Sequence, residues 1–169
     1  MTELWNLYDQ DGNITADILK RGDTMPRGRF HLVVHIWLYD YSHRYLIQKR
    51  STRLTWQPGI WAATGGSAVL GENSRQAIIR ESKEELNLDL STNTGLKKVN
   101  RLRRETHFLD VWKAPINSLI TENFQPTAEV EAVAFKSISE ISQMVEAGLF
   151  FPYPDDYFSL IGLSTSPDR

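Results

Sequence analysis

The segment from Ser74 to Leu86 constrains this chain more than any other. It contains neither Gly nor Pro, is rich in Arg, Gln, Ala, Lys, Glu and Leu, and follows Asn73, a residue suited to capping a first helical turn. The pattern predicts a helix, and on it Glu81, Glu84 and Glu85 fall at i, i+3 and i+4, with their carboxylates on one face. Three such anions repel unless something offsets them, and Arg80 and Lys83 would do so on an ordinary solvated face. Two neighbours point further. Gly65-Gly66 stands upstream, where backbone can approach a ligand without Cβ hindrance, and Glu72 precedes the helix where it can reach back and lock Arg80. The cluster looks built to hold cations. With no Cys and no His cluster, the donors are all oxygen, which favours magnesium, or manganese as the alternative, over zinc. Magnesium usually binds phosphate oxygens alongside protein carboxylates, which implies a small-molecule substrate with two or more phosphates.

Read as a string, the same residues run Gly66, five residues, Glu72, seven residues, Arg80-Glu81, two residues, Glu84-Glu85. This resembles the signature of the Nudix hydrolases at six fixed positions, a match of order one in 10⁵ by chance. Ser82 stands where the signature has an aliphatic residue and Asn87 where it has Gly; Asn is the next-best residue for a left-handed helix end. The resemblance extends to the Gln57-Pro58-Gly59-Ile60-Trp61 approach and to a late strand from Glu129 to Phe135. It implies an α/β/α sandwich with a mixed sheet and the signature on a loop–helix–loop. It also implies a pyrophosphohydrolase that cleaves a nucleoside diphosphate linked to another group, or a related diphosphate. Magnesium would be held by Glu81, Glu84, Glu85 and the Gly66 carbonyl. Arg80, paired with Glu72, would orient the acidic face, and Glu81 is alternatively the general base. A further acid would come from Glu129 or Glu131, which at i, i+2 share one face of a strand; the rival reading is a charged edge facing water.

The rest of the chain reads as one α/β domain over residues 1–169, a mixed sheet between helices. The turn signal Asp11-Gly12-Asn13 suggests an N-terminal hairpin within about the first 30 residues, and His31 to Tyr39 with Tyr45 to Gln48 reads as a second hairpin. Short extended pieces are expected at Ile60–Ala63 and Ser67–Leu70, the latter bracketed by Gly65-Gly66 and Gly71. A bent strand pair follows from Leu96 to Trp112, closed by Pro115. Ser139 is the expected cap of a helix ending before Gly148, and a last helix is expected from Pro154-Asp155-Asp156 to Gly162, with a frayed tail.

The segment from Trp5-Asn6-Leu7-Tyr8-Asp9 through His31-Leu32 is also similar to the isopentenyl diphosphate isomerases of the same superfamily. Those enzymes use a Cys just before the signature, where this chain has Gly65, and a His where it has Ser67; without Cys, that chemistry is excluded. Glu105 and His107 resemble the isomerase acids in position, with strand-face residues as the simpler reading. His31, His35 and His43 are dispersed and read as structural; Trp37, Trp56, Trp61 and Phe108 read as core or sheet-face residues. The rival from another class is a nucleotide-sensing module without catalysis, which has no need of three carboxylates on one helix face.

Nineteen Lys and Arg against 21 Asp and Glu leave a formal charge of −2, so no global positive field gathers nucleic acid or an anionic membrane. The basic stretch from Lys97 to Arg104 could instead meet substrate phosphates. No leader pattern and no long apolar run is present, and the expected compartment is the cytoplasm. A homodimer is compatible with such a domain.

Overall fold

The computed structural model describes residues 1–163. Its strands are β1 (Leu4–Tyr8), β2 (Ile14–Lys20), β3 (His31–Tyr39), β4 (Tyr45–Arg50), β5 (Trp61–Ala62), β6 (Thr64–Ser67), β7 (Lys97–Arg103), β8 (His107–Pro115) and β9 (Val130–Lys136). Its helices are α1 (Ser74–Leu86), α2 (Ile120–Asn123), α3 (Ile138–Glu146) and α4 (Tyr157–Leu160). β3 is the hub: it runs parallel to β8 and antiparallel to β4 and β6, while β9 and β5 join β4 and β7 joins β8. The mixed sheet expected from the sequence is therefore present.

The near-continuous apolar run of β3 follows from burial on both faces. Leu32, Val34, Ile36 and Leu38 pack with Ala77, Ile78 and Leu86 of α1. Trp37, with Leu109 and Val111 of β8, packs with Ile141 of α3 and Tyr157 of α4. The result is the α/β/α layering. Among the described residues no helix is long and apolar enough to cross a membrane.

β1 and β2 form the expected hairpin as a separate two-stranded sheet. It acts on the region ahead of α1: the Leu70 N–H donates to the Leu4 carbonyl at 2.7 Å and the Gly71 N–H to Asn6 Oδ1 at 2.8 Å.

Several expected boundaries move. Gly65 and Gly66 lie inside β6 rather than ahead of it, opposite His35 and Val34; a Cβ at Gly65 would overlap the Val34 carbonyl oxygen, so the pairing itself requires glycine. Ser137, not Ser139, caps α3, because its Oγ accepts from the Glu140 N–H at 3.1 Å while Glu140 returns a bond to the Ser137 N–H at 2.8 Å. The last helix is a single turn whose Asp156 makes no side-chain cap and pairs with Arg104 at 3.2 Å. The tail expected beyond it lies outside the described residues.

Candidate active site

Helix α1 starts as the sequence implied. The Asn73 side chain accepts from the Gln76 N–H at 2.9 Å and the Gln76 side chain returns a bond to the Asn73 N–H at 3.0 Å. It ends on Asn87 at φ 55°, whose N–H donates to the Lys83 carbonyl at 3.0 Å. Ser82 is fully buried and donates to the Ile78 carbonyl at 2.8 Å, which satisfies the hydroxyl where an aliphatic side chain would need no partner.

Arg80 gathers the acids. Its Nε and Nη2 grip Glu72 at 2.7 and 3.0 Å, and Nη1 donates to Glu81 at 2.9 Å and to Glu84 at 3.0 Å. Nη2 also reaches the Ser67 carbonyl at 3.0 Å, tying the guanidinium to the end of β6. Burial works against the guanidinium charge, and the hydrogen bonds it donates to Glu72 and Glu81, with the charges of both, outweigh it, so the pKa is raised and Arg80 stays cationic. The Glu72–Arg80 lock is thus a bidentate pair, held further by the Val69 N–H on Glu72 at 3.0 Å.

Spacing alone puts Glu85 on the acidic face, and the fold gives it a separate setting. It is 2% exposed, and its Oε2 accepts from Gln48 Nε2 of β4 at 2.9 Å and from the Gly65 N–H at 3.1 Å. Gln48 is oriented in turn by Thr64, whose hydroxyl donates to Gln48 Oε1 at 2.9 Å. Sequence reading missed both: Gln48 is 37 residues from Glu85 and reaches it only across the sheet, and Thr64, although just ahead of the signature, acts on Glu85 only through Gln48. Replacing Gln48 with Leu leaves the Thr64 hydroxyl and Glu85 Oε2 each short of a partner. A loss of about 1–3 kcal/mol is expected, read from urea denaturation.

Glu81 occupies the space a side chain at Gly66 would need: a Cβ there would overlap its carboxylate. Burial pushes the Glu81 carboxyl up to about 7 against the pull of Arg80, and burial together with Glu81 pushes Glu85 up to about 8. Glu129 adds to both shifts. It lies one residue before β9, and its carbonyl accepts from the Ser51 N–H at 2.7 Å. Glu131 is committed elsewhere, to Lys49 at 2.7 Å and the Thr52 N–H at 3.2 Å. The expected common strand face is therefore broken; the β4–β9 register pairs Lys49 with Ala132 and Arg50 with Val130, leaving Glu131 as the extra residue between the two pairs.

Other candidates sit apart from this cluster. Glu105 is exposed in the turn between β7 and β8, and His107 at the start of β8 faces His31 at 5.6 Å. His31 stacks on Trp5 at 4.2 Å, and burial lowers its pKa to about 4; His43 sits in the β3–β4 turn at φ 57°. Burial likewise lowers His35 to about 3, keeping that ring neutral. Trp37 and Phe108 are core residues and Trp61 is partly buried, but Trp56 is 60% exposed with the Arg50 guanidinium 5.2 Å from its ring, a correction to the core reading. In the basic stretch, Arg101 is held bidentately by buried Asp110 at 2.6 and 2.8 Å and Lys98 approaches it at 3.4 Å, which removes much of the expected patch.

Three carboxylates, Glu72, Glu81 and Glu84, thus hold one arginine, and with the buried Glu85 they leave a formal excess of three negative charges among oxygen-only donors. Among the described residues no three acidic or His side chains converge as a finished ion cage; Arg80 and Gln48 each hold one oxygen of the carboxylates they touch. In donor chemistry and charge the residues fit a hard divalent cation, the partner that two buried, mutually repelling carboxylates lack.

The NUDIX domain family matches residues 29–152. An uncharacterized Nudix hydrolase of Listeria innocua is 32% identical over 89% of each chain, and an isopentenyl-diphosphate Delta-isomerase of Citrobacter koseri is 26% identical over 69% of each. Among solved structures, DR0079 from Deinococcus radiodurans superposes with a TM-score of 0.75 at 18% identity, over 97% of this chain and 100% of that one. With the family match spanning most of the chain and the signature assembled around Arg80, this protein belongs to the Nudix hydrolases, pyrophosphohydrolases of phosphorus-containing anhydrides.

Proposed function

We propose that this enzyme is a magnesium-dependent hydrolase, with manganese as the alternative ion, that cleaves the diphosphate of a nucleoside diphosphate linked to another group or of a related small molecule. The observation that carries it is the excess of carboxylate around Arg80, with buried Glu85 anchored by Gln48 and the Gly65 N–H. Glu81, Glu84, Glu85 and the Gly66 carbonyl would hold the ion. When bound, it supplies neutralisation of the phosphate oxygens and a water of lowered pKa. Arg80, fixed by Glu72 and the Ser67 carbonyl, keeps Glu81 and Glu84 from collapsing onto other donors. Glu81 is alternatively the general base that takes the proton of the attacking water, in place of full ligation of the ion. Glu129 is the better of the two further acids because it acts on Glu81 and Glu85 while Glu131 is spent on Lys49.

The isomerase reading loses on chemistry, since Gly65 offers no side chain where those relatives have a thiol. The test is product analysis by mass spectrometry on nucleotide sugars, dinucleoside polyphosphates, coenzyme diphosphates and prenyl diphosphates with magnesium. Metal-dependent appearance of two phosphorylated fragments is expected from at least one nucleotide diphosphate. Folded, magnesium-loaded protein that cleaves none of them, or that isomerises a prenyl diphosphate, removes the reading.

A further inference from the structure

One polar group beside this site has no part in the scheme above. His35 sits at the middle of β3 in register with Gly65 of β6. Its ring edge lies along that glycine, so that a Cβ there would stand 2.9 Å from His35 Cδ2, and the same residue's N–H donates to Glu85 Oε2 at 3.1 Å. A single glycine therefore separates the imidazole from the buried carboxylate.

The proton on this ring can be assigned from its neighbours. His35 Nδ1 lies 3.0 Å from the Tyr157 hydroxyl, which is fully buried and accepts from Trp37 Nε1 at 2.9 Å. An indole nitrogen can only donate. If His35 Nδ1 also donated, the phenolic proton would be buried with no acceptor among the described residues, a costly arrangement. The hydroxyl therefore donates to Nδ1, and the neutral ring carries its proton on Nε2. Nε2 makes no hydrogen bond among the described residues, yet the buried polar atoms without partners there are Trp5 Nε1 and His31 Nδ1 alone. It is the ring nitrogen left uncommitted by the described residues, on a residue that is part-exposed. Tyr153 packs on the ring at 5.3 Å, stacks on Tyr157 at 4.3 Å, and accepts from the Ala63 N–H at 3.2 Å. The donor is held in place from two sides.

We propose that His35 presents a fixed Nε2–H to a phosphate oxygen of the substrate, across Gly65 from Glu85, with Tyr157 and Trp37 as its positioning residues. This rests on the diphosphate reading above. A neutral donor suits the position: an ammonium or guanidinium beside Glu85 would be captured by it, as Arg80 is by Glu81 and Glu84, whereas an imidazole N–H answers an anionic oxygen without pairing the acid.

The experiment is nitrogen-15 NMR of the histidine rings and backbone amides, with magnesium and inorganic pyrophosphate as the probe, on the unaltered protein and on His35→Phe and His35→Gln. The Nε2–H tautomer is expected before the probe is added, and pyrophosphate is expected to move that proton's signal. His35→Phe should weaken pyrophosphate binding about ten- to a hundredfold, the worth of a hydrogen bond to a charged group. His35→Gln, whose amide nitrogen reaches the same place, should recover most of that loss. An Nδ1–H tautomer in the unaltered protein overturns the proposal without reference to any variant. So does pyrophosphate that shifts the Gly65 and Gly66 amides and leaves Nε2–H unmoved, in which case the diphosphate reading stands. Pyrophosphate that moves neither set removes both.

Discussion

Glu85→Gln is expected to cut turnover about 10²- to 10³-fold while leaving the protein folded, and at mildly alkaline pH to make the metal-free protein more stable. Both effects come from one contact set. The amide oxygen of the new side chain can accept from Gln48 Nε2 and the Gly65 N–H as Oε2 does now, at 2.9 and 3.1 Å, so packing is preserved. What disappears is a charge that burial resists and that Glu81 repels. Loss of one preorganised charge at a reacting phosphate carries the rate penalty. Opposite signs in kcat and in the denaturation midpoint distinguish this from mere unfolding. A variant that keeps turnover within a few-fold would remove Glu85 from the catalytic set.

The second large effect is a fall in the melting temperature of the metal-free protein as pH rises through about 7 and 8, the values of Glu81 and Glu85. The sign follows from linkage. A carboxyl whose folded pKa stands above its ordinary 4.5 contributes stability that is whole below 4.5, declines as pH climbs from there to the folded value, and is gone above it. His31 and His35 work the other way, because their folded pKa values of about 4 and about 3 lie below the ordinary 6.5, but their contribution is complete once pH passes 6.5. Above that point the two glutamates dominate. Each kcal/mol lost should lower the melting temperature by about 2–4 °C in a chain of this size. Magnesium should abolish the fall and Glu85→Gln should flatten it. A melting temperature that is level or rising across this window would show that the two carboxyls ionise without cost.

The parts of the site legible in the sequence were those built by local spacing. The cap at Asn73, the left-handed end at Asn87 and the Glu72–Arg80 lock all follow from offsets of a few residues along or just before one helix. Such contacts hardly depend on the rest of the fold. Gln48 and Thr64 were not legible, because Gln48 reaches Glu85, and Thr64 reaches Gln48, only after the sheet brings β4 and β6 together. The roles of Glu129 and Glu131 were indistinguishable for a related reason: strict alternation puts both on one face, and a register shift in β4–β9 is a property of two strands together.

By itself, the sequence determined the acidic helix, its caps, the oxygen-only donor set and the family resemblance, since each depends on residue type and short-range geometry. It also determined that thiol chemistry is absent. Only the tertiary structure decided which acids are buried, that Glu131 is taken by Lys49, and that His35, read as structural, stands beside Gly65 with Nδ1 against Tyr157. The reason is physical. Burial and proton position are set by what lies across the sheet, and for Glu85 and His35 those neighbours are Gln48 and Tyr157, 37 and 122 residues away along the chain.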